Sequence, residues 1–428
     1  MMVSLLLFGC FLALLIAAVP VAIGLGLASA LALLYSGKVS SSFIAQGLVT
    51  SIDSFPLMAV PFFILAGDLM GHGGLSRRLL NVGAVFFGRY TGGLAIIAVV
   101  TCMFFAAISG SGPATVAAIG GIMLPAMSKA GYDRGWSVGL LASAGSIGII
   151  IPPSIPMIIY AVSANVSITQ MFLAGIIPGI LVGVSLIMVA WFSARRRGYK
   201  GDDRRYTARE IWATVWDAKW ALLVPLIILG GIYGGVFTPT EAAAVGVIYG
   251  LIVGVFVHRE LSFRDLYRVI ADSALTSATV VMIVGTATIF GRVLTIERIP
   301  VMIAEAMVSL TDNHVLILLL INVLLLFVGM FMETLAAIII LTPILLPVVL
   351  AVGVDAVHFG IVVIVNLAIG MVTPPVGVNL FVGARLAGIS LEKAAAGAMA
   401  FIVSMLAVLL LITYVPPLSL APLSLMGK

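Results

Sequence analysis

Four interruptions of apolar sequence carry the chemistry available to this chain. Ser109-Gly110-Ser111-Gly112-Pro113-Ala114-Thr115 divides the stretch 92–129, and Met332-Glu333-Thr334 divides 315–351. The other two are diprolines, Pro152-Pro153 near the end of Ala144–Ser154 and Pro374-Pro375 within Ile369–Gly377. Proline removes an amide donor and frees carbonyls upstream. Freed carbonyls and Ser/Thr hydroxyls are hard oxygen ligands that suit an alkali cation. Half-helices that start at a break offer N-termini that suit an anion. Non-helical backbone at membrane depth is tolerated only where protein buries it or it lines a polar cavity. A single Pro-Pro reads as a kink in a packed helix; four breaks at matched positions read as a binding site. Transition-metal chemistry lacks its ligands: Cys10 and Cys102 lie in separate apolar runs, and His72, His258, His314 and His358 are scattered.

Long apolar elements must hold these breaks. The chain is 62% apolar and 9% charged over 428 residues, against roughly 25% charged for a soluble protein. Many windows approach or exceed the ~18–20 apolar residues that span a bilayer. The expected fold is an all-α polytopic membrane protein. Sliding the sequence by 222 positions sets Leu124-Pro125 on Leu346-Pro347, Asp133 on Asp355, Gly148 on Gly370 and Pro152-Pro153 on Pro374-Pro375, without a gap. Duplicated halves in a very apolar chain mark a secondary transporter. The first repeat is expected over 1–196, with spans near 3–18, 20–36, 55–71 and 170–194, a re-entrant hairpin at 92–129 and a broken helix at 136–166. A polar connector follows at 197–219. The second repeat, 220–428, has spans near 220–236, 240–257, 275–291 and 392–416, a hairpin at 315–351 and a broken helix at 358–388. The expected total is about 10–12 transmembrane helices plus the two hairpins. Segments 38–52 and 260–273 are mildly amphipathic and are expected to lie along the membrane surface.

An odd number of crossings per half requires the halves to be inverted, and charge sets their direction. With the N-terminus periplasmic, loops at 72–91, 129–135, 195–219 and 258–272 lie inside. They hold most of the basic residues, including Arg77, Arg78, Arg89, Lys129, Arg134 and the run Arg195-Arg196-Arg197. Lys38, Arg292, Arg298 and Lys428 lie outside, so positive charge is concentrated inside as membrane insertion favours. The first hairpin then opens from the cytoplasm and the second from the periplasm. Val3–Ala18 has no basic stretch before it and reads as a retained first span rather than a cleaved signal. The pI of about 9.3 reflects loop charge, not nucleic-acid binding.

The sequence resembles the large membrane subunit of tripartite ATP-independent periplasmic (TRAP) transporters, of the C4-dicarboxylate permease type. The segments that carry the resemblance are Gly110–Ala118, Gly148–Ser154, Phe237–Ala244 and Thr373–Phe381. It implies an elevator-type transporter in the bacterial inner membrane with sodium as coupling ion and no other cofactor. It also implies a small membrane subunit and a periplasmic substrate-binding protein as partners. The small subunit is expected from another polypeptide, because the first repeat starts almost at residue 1. The implied cargo is a small organic anion, a C4-dicarboxylate first and sialic acid or another carboxylate behind it. Carried onto matching positions, one sodium lies among Ser109, Ser111, Thr115, Gly145, Ser146 and Pro152. A second lies among Met332, Glu333, Thr334, Gly370, Thr373 and Pro374. The anion lies between the tips, near Ser111, Ser154, Thr334 and Asn379, with Arg385 as a further candidate.

Several polar residues have two readings. Glu333 faces sodium or caps the helix that follows it. Arg385 contacts the anion or snorkels to the interface. Thr238 and Glu241 read as ordinary helix-start chemistry, Asp68 as a solvent-reaching residue at the end of its span, and Asn165 and Asn366 as interhelical hydrogen-bond partners. Trp212, Trp216 and Trp220 form an interfacial face. No nucleophile–base pair or metal triad supports a membrane enzyme, and no phosphate-binding loop supports ATP-driven transport. A passive channel remains the competing class.

Overall fold

The computed structural model describes residues 2–38, 41–202, 204–310 and 313–424; Lys428 lies outside them. Among the described residues every regular element is helical. Their buried apolar side chains form one dominant cluster that runs through both halves.

The first hairpin consists of Gly93–Ser109 and Gly112–Lys129. Its turn follows from its sequence. Gly110 ends the first helix at φ 59°, Ser111 is extended, and Pro113 opens the second helix, where a missing amide proton is harmless. The second hairpin, His314–Phe331 and Thr334–Ala351, turns without glycine through extended Met332 and Glu333. The first broken helix comprises Arg134–Ser146, a short 3-10 turn, and Ile155–Ala164. The second comprises Ala356–Gly370 and Val378–Ala387. Asp133 and Asp355 cap the starts of these broken helices, and both diproline bonds are cis. The second helix of each hairpin packs against the outer piece of the other half's broken helix: Gly112–Lys129 on Val378–Ala387, and Thr334–Ala351 on Ile155–Ala164. This exchange brings the four breaks together.

Seven helices among the described residues are long and apolar enough to cross a membrane, fewer than the 10–12 expected. The difference arises at the breaks and in several short apolar helices. A bilayer core needs about 20 residues of helix, whereas the broken-helix pieces have 10–15.

Three features depart from the sequence reading. The segment 260–273, expected to lie along the membrane surface, is not separate: from Phe263 it continues into one 34-residue helix, Phe263–Ile296. Its counterpart in the first half is interrupted, Ser41–Ile52 then Phe55–His72, with Pro56 at the restart. The aligned residues Leu275-Thr276-Ser277-Ala278 contain no proline, so nothing stops the helix there. The inner loop expected at 72–91 contains the helix Leu75–Phe87, which buries Leu75, Leu79, Leu80 and Gly83 along one face. Asn165 does not bridge helices; it terminates Ile155–Ala164 in the left-handed conformation at φ 54°. Thr238 and Glu241 form the expected reciprocal cap. Trp212 and Trp216 are exposed and stacked 6.1 Å apart, whereas Trp220 is half-buried against Tyr249. In the connector, Thr207 caps Ala208–Asp217. Its backbone N–H and hydroxyl, with Arg204, hold the Glu210 carboxyl below the usual range.

Candidate functional site

A cavity of about 200 Å³ lies where both tips and both breaks meet. Four helix N-termini reach its wall: Gly112-Pro113, Ile155-Pro156, Thr334-Leu335 and Val378. Partial positive charge at helix N-termini is attractive to anions. The lining is otherwise mostly apolar. It contains the Ser111, Thr276 and Thr334 side chains, one carboxylate, Glu333, and no basic residue.

The first tip is tied to its own break by backbone contacts. Ile155 N donates to Gly110 O at 3.3 Å. Thr115 Oγ1 lies 2.9 Å from Ser109 Oγ and donates to Ser111 O at 2.7 Å. Gly148 faces this oxygen cluster: a Cβ there would lie 2.6 Å from Ser111 O and 2.8 Å from Thr115 Oγ1. Three oxygens of the expected first sodium site are therefore gathered, with Gly148 beside them. Gly145 abuts Val116 and Gly112 O of the same hairpin helix. Ser146 directs its hydroxyl away, to Ser143 O at 2.7 Å and toward Met405 Sδ, so only its backbone is available to the tip. Pro152 is buried in the break.

The second tip meets its break at the equivalent glycine. A Cβ on Gly370 would lie 2.5–2.7 Å from backbone atoms of Gly329, and Val376 N donates to Met330 O at 3.3 Å. Glu333 caps its helix, with Oε2 accepting from Leu335 N at 2.9 Å and Ala336 N at 3.1 Å. Both bonds fall on one oxygen, and no hydrogen bond to Oε1 occurs among the described residues. Glu333 is among the residues that line the cavity, and its cap occupies one carboxylate oxygen. Met332 and Thr334 line the cavity too. Thr373 donates to Ile369 O at 2.7 Å, and Pro374 follows it, half-exposed.

The expected substrate residues divide. Ser111 and Thr334 line the cavity; Ser111 is a cap position whose hydroxyl makes no capping bond. Ser154 is fully buried, donating to Ile149 O at 2.7 Å and capping Met157 N. Asn379 is also fully buried: Nδ2 donates to Ala142 O at 3.1 Å, Oδ1 is unpaired, and both face Gly112 of the first tip. Arg385 is exposed over Phe381 at 5.8 Å and does not reach the cavity. Met371 and Gly377 of the expected break Ile369–Gly377 also line the cavity, and the sequence reading missed Thr276. For Thr276 the available signal was its alignment with Ser54, beside the Pro56 break. Asp68, expected to reach solvent, accepts from Ser273 at 2.6 Å.

Known proteins resemble this chain in fold and sequence. The solved structure titled as the Alcanivorax borkumensis YdaH transporter aligns with TM-score 0.62 at 14% identity, covering 89% of this chain and 88% of that one; it shares the fold. The "Isethionate TRAP transporter permease protein DctMQ" of Oleidesulfovibrio alaskensis is 54% identical over 96% of this chain, which spans 65% of that relative's length. The "C4-dicarboxylate TRAP transporter large permease protein DctM" of Pseudomonas aeruginosa is 41% identical over 93% of each chain. The "Sialic acid TRAP transporter large permease protein SiaM" of Vibrio cholerae is 38% identical over 96% of each. Residues 8–418 match the family described as "Tripartite ATP-independent periplasmic transporter, DctM component". The chain belongs to that family: it is a multi-pass membrane component of a TRAP-type solute transporter, not an enzyme.

Proposed function

We propose that the chain is the permease of a sodium-coupled importer of a small organic anion, carboxylate or sulfonate. The observation that carries this reading is the cavity on which four helix N-termini converge while a carboxylate, and no basic side chain, lines it. An anion placed beside Glu333 needs compensating cations. The tip oxygens of Ser109, Ser111 and Thr115 are hard donors of the kind that bind them. The second position lies around Met332, Glu333, Thr334, Gly370, Thr373 and Pro374. Sodium would order each tip against its break and so complete the anion site; coupling follows from the difference in affinity between ordered and open tips.

The halves 1–196 and 220–428 act as inverted repeats joined by a cytoplasmic connector, with the N-terminus periplasmic. The two hairpins and broken helices move as one body in an elevator cycle. A periplasmic binding protein delivers the anion. A small membrane subunit is the second partner, a reading supported by the greater length of the relative named DctMQ. Relatives' names include isethionate, C4-dicarboxylates and sialic acid, all organic anions, so the cargo class is supported more strongly than its identity. The test is Ser111→Ala and Thr373→Val in proteoliposomes. Each should lower uptake and raise the sodium concentration required, with insertion intact. An unchanged sodium dependence in both would remove the tip-and-break assignment.

A further inference from the structure

Arg292 is a half-buried cation without a carboxylate partner among the described residues. Its guanidinium lies 5.7 Å from the Phe43 ring and against Gly47 of the helix Ser41–Ile52. Nearby in sequence, Glu297 is already paired with Lys38 at 2.6 Å. Arginine keeps its charge at any accessible pH, and among the described residues no carboxylate pairs with it.

It borders a cavity of about 300 Å³, separate from the tip cavity and lined by the hydroxyl residues Ser51, Ser163, Thr288 and Thr295. Arg292 is the one charged residue in that lining. Between the two lies a small space of about 90 Å³ with an entirely apolar wall, including Met58, Val60, Pro61 and Val281. This space shares Leu57, Ile159 and Val284 with the Arg292 cavity and Val280 with the tip cavity. Residues of Phe263–Ile296 line all three in turn, Thr276 and Val280 the tip cavity, Val280 and Val284 the apolar space, and Val284, Thr288 and Arg292 the Arg292 cavity. The separation of Thr276 and Arg292 along this helix is about 24 Å at ~1.5 Å per residue.

We propose that the Arg292 cavity is a second anion site, which receives a small carboxylate or sulfonate before it reaches the tips. The apolar space between the sites acts as a gate, closed to hydrated ions by dewetting. In the orientation inferred from charge, this site is on the periplasmic side. The inference rests on the transport reading for its purpose, but its test does not require transport.

Ser163→Cys is introduced with Cys10→Ala and Cys102→Ala, and the purified full chain is labelled with two thiol reagents of opposite charge. Anionic sulfonatoethyl methanethiosulfonate should react at least about tenfold faster than the cationic trimethylammonioethyl reagent, after correction for their rates with free thiol. Arg292→Gln should abolish that preference and Arg292→Lys should retain it. Millimolar isethionate should slow labelling in the Arg292 protein and not in Arg292→Gln. Thr295→Cys supplies a second reporter if Ser163→Cys does not fold. Equal rates for the two reagents, or a preference that survives Arg292→Gln, would overturn the site. Charge-selective labelling in a protein that shows no sodium-driven uptake would leave the site standing and remove the transport reading instead.

Discussion

Gly148→Ala gives a quantitative test of how the first tip meets its break. Alanine is acceptable to the backbone here, since Gly148 is not among the positive-φ glycines. The obstacle is the Cβ itself, placed 2.6 Å from Ser111 O and 2.8 Å from Thr115 Oγ1. An ordinary contact begins near 3.4 Å, so tip and break must separate by about 0.8 Å. Hard cations hold their oxygens at about 2.3–2.6 Å, and a shift of this size takes one wall out of coordination range. Overpacking of this kind costs about 1–3 kcal/mol, equivalent to about 5- to 150-fold in an equilibrium constant. Initial uptake into proteoliposomes, measured against external sodium, should show half-saturation raised within that range, with insertion and monodispersity retained. Gly121→Ala is the control: it lies on the same hairpin, and its Cβ would meet nothing within 4 Å. A normal sodium requirement in Gly148→Ala would refute the claim that the tip–break contact forms the ion site.

The remaining predictions probe separate parts of the molecule. Gly370→Ala should impair uptake as Gly148→Ala does, because the atoms nearest its Cβ, at 2.5–2.7 Å, would be Gly329 backbone; normal uptake would show that the second tip tolerates separation. Glu333→Gln keeps an acceptor for the cap but removes the charge, so it should fold normally and raise the sodium requirement about tenfold, a difference of about 1.4 kcal/mol; unchanged sodium dependence would leave Glu333 as a cap alone. Arg385→Gln should leave the substrate concentration dependence unchanged, and a raised requirement would return Arg385 to the anion site. Thr413→Val removes the acceptor of Asn322 Nδ2, within a buried chain that continues from Asn322 Oδ1 to Asn366. Thermal unfolding in detergent should register a loss of about 1–3 kcal/mol, and no loss would show that the network finds another partner.

How far the sequence was legible depended on whether a feature left a backbone signature. Gly110, Pro113 and the two diprolines announced the tip and the breaks, and the helices flanking them start and end within a few residues of the expected limits. Leu75–Phe87 was not legible as a helix because Arg77 and Arg78 interrupt it, making a surface-leaning amphipathic element resemble a loop. The fusion at Phe263–Ile296 turned on the absence of one proline, a weak cue beside an otherwise parallel pattern. Side-chain direction was the least accessible property. Ser154, Asn379 and Arg385 have suitable chemistry in suitable segments, yet two are tied into buried contacts and one is outside the cavity. Thr276 and Arg292 became meaningful only when packing aligned them along the same series of cavities.

The most direct measurement is uptake of labelled isethionate and succinate into proteoliposomes containing this chain and its small membrane partner. Four conditions combine an inward sodium gradient, or none, with the periplasmic binding protein, or none. The account predicts accumulation of at least one of these anions only when both are present. Equal flux without the gradient, or without the binding protein, would contradict it and identify a channel or a stand-alone carrier.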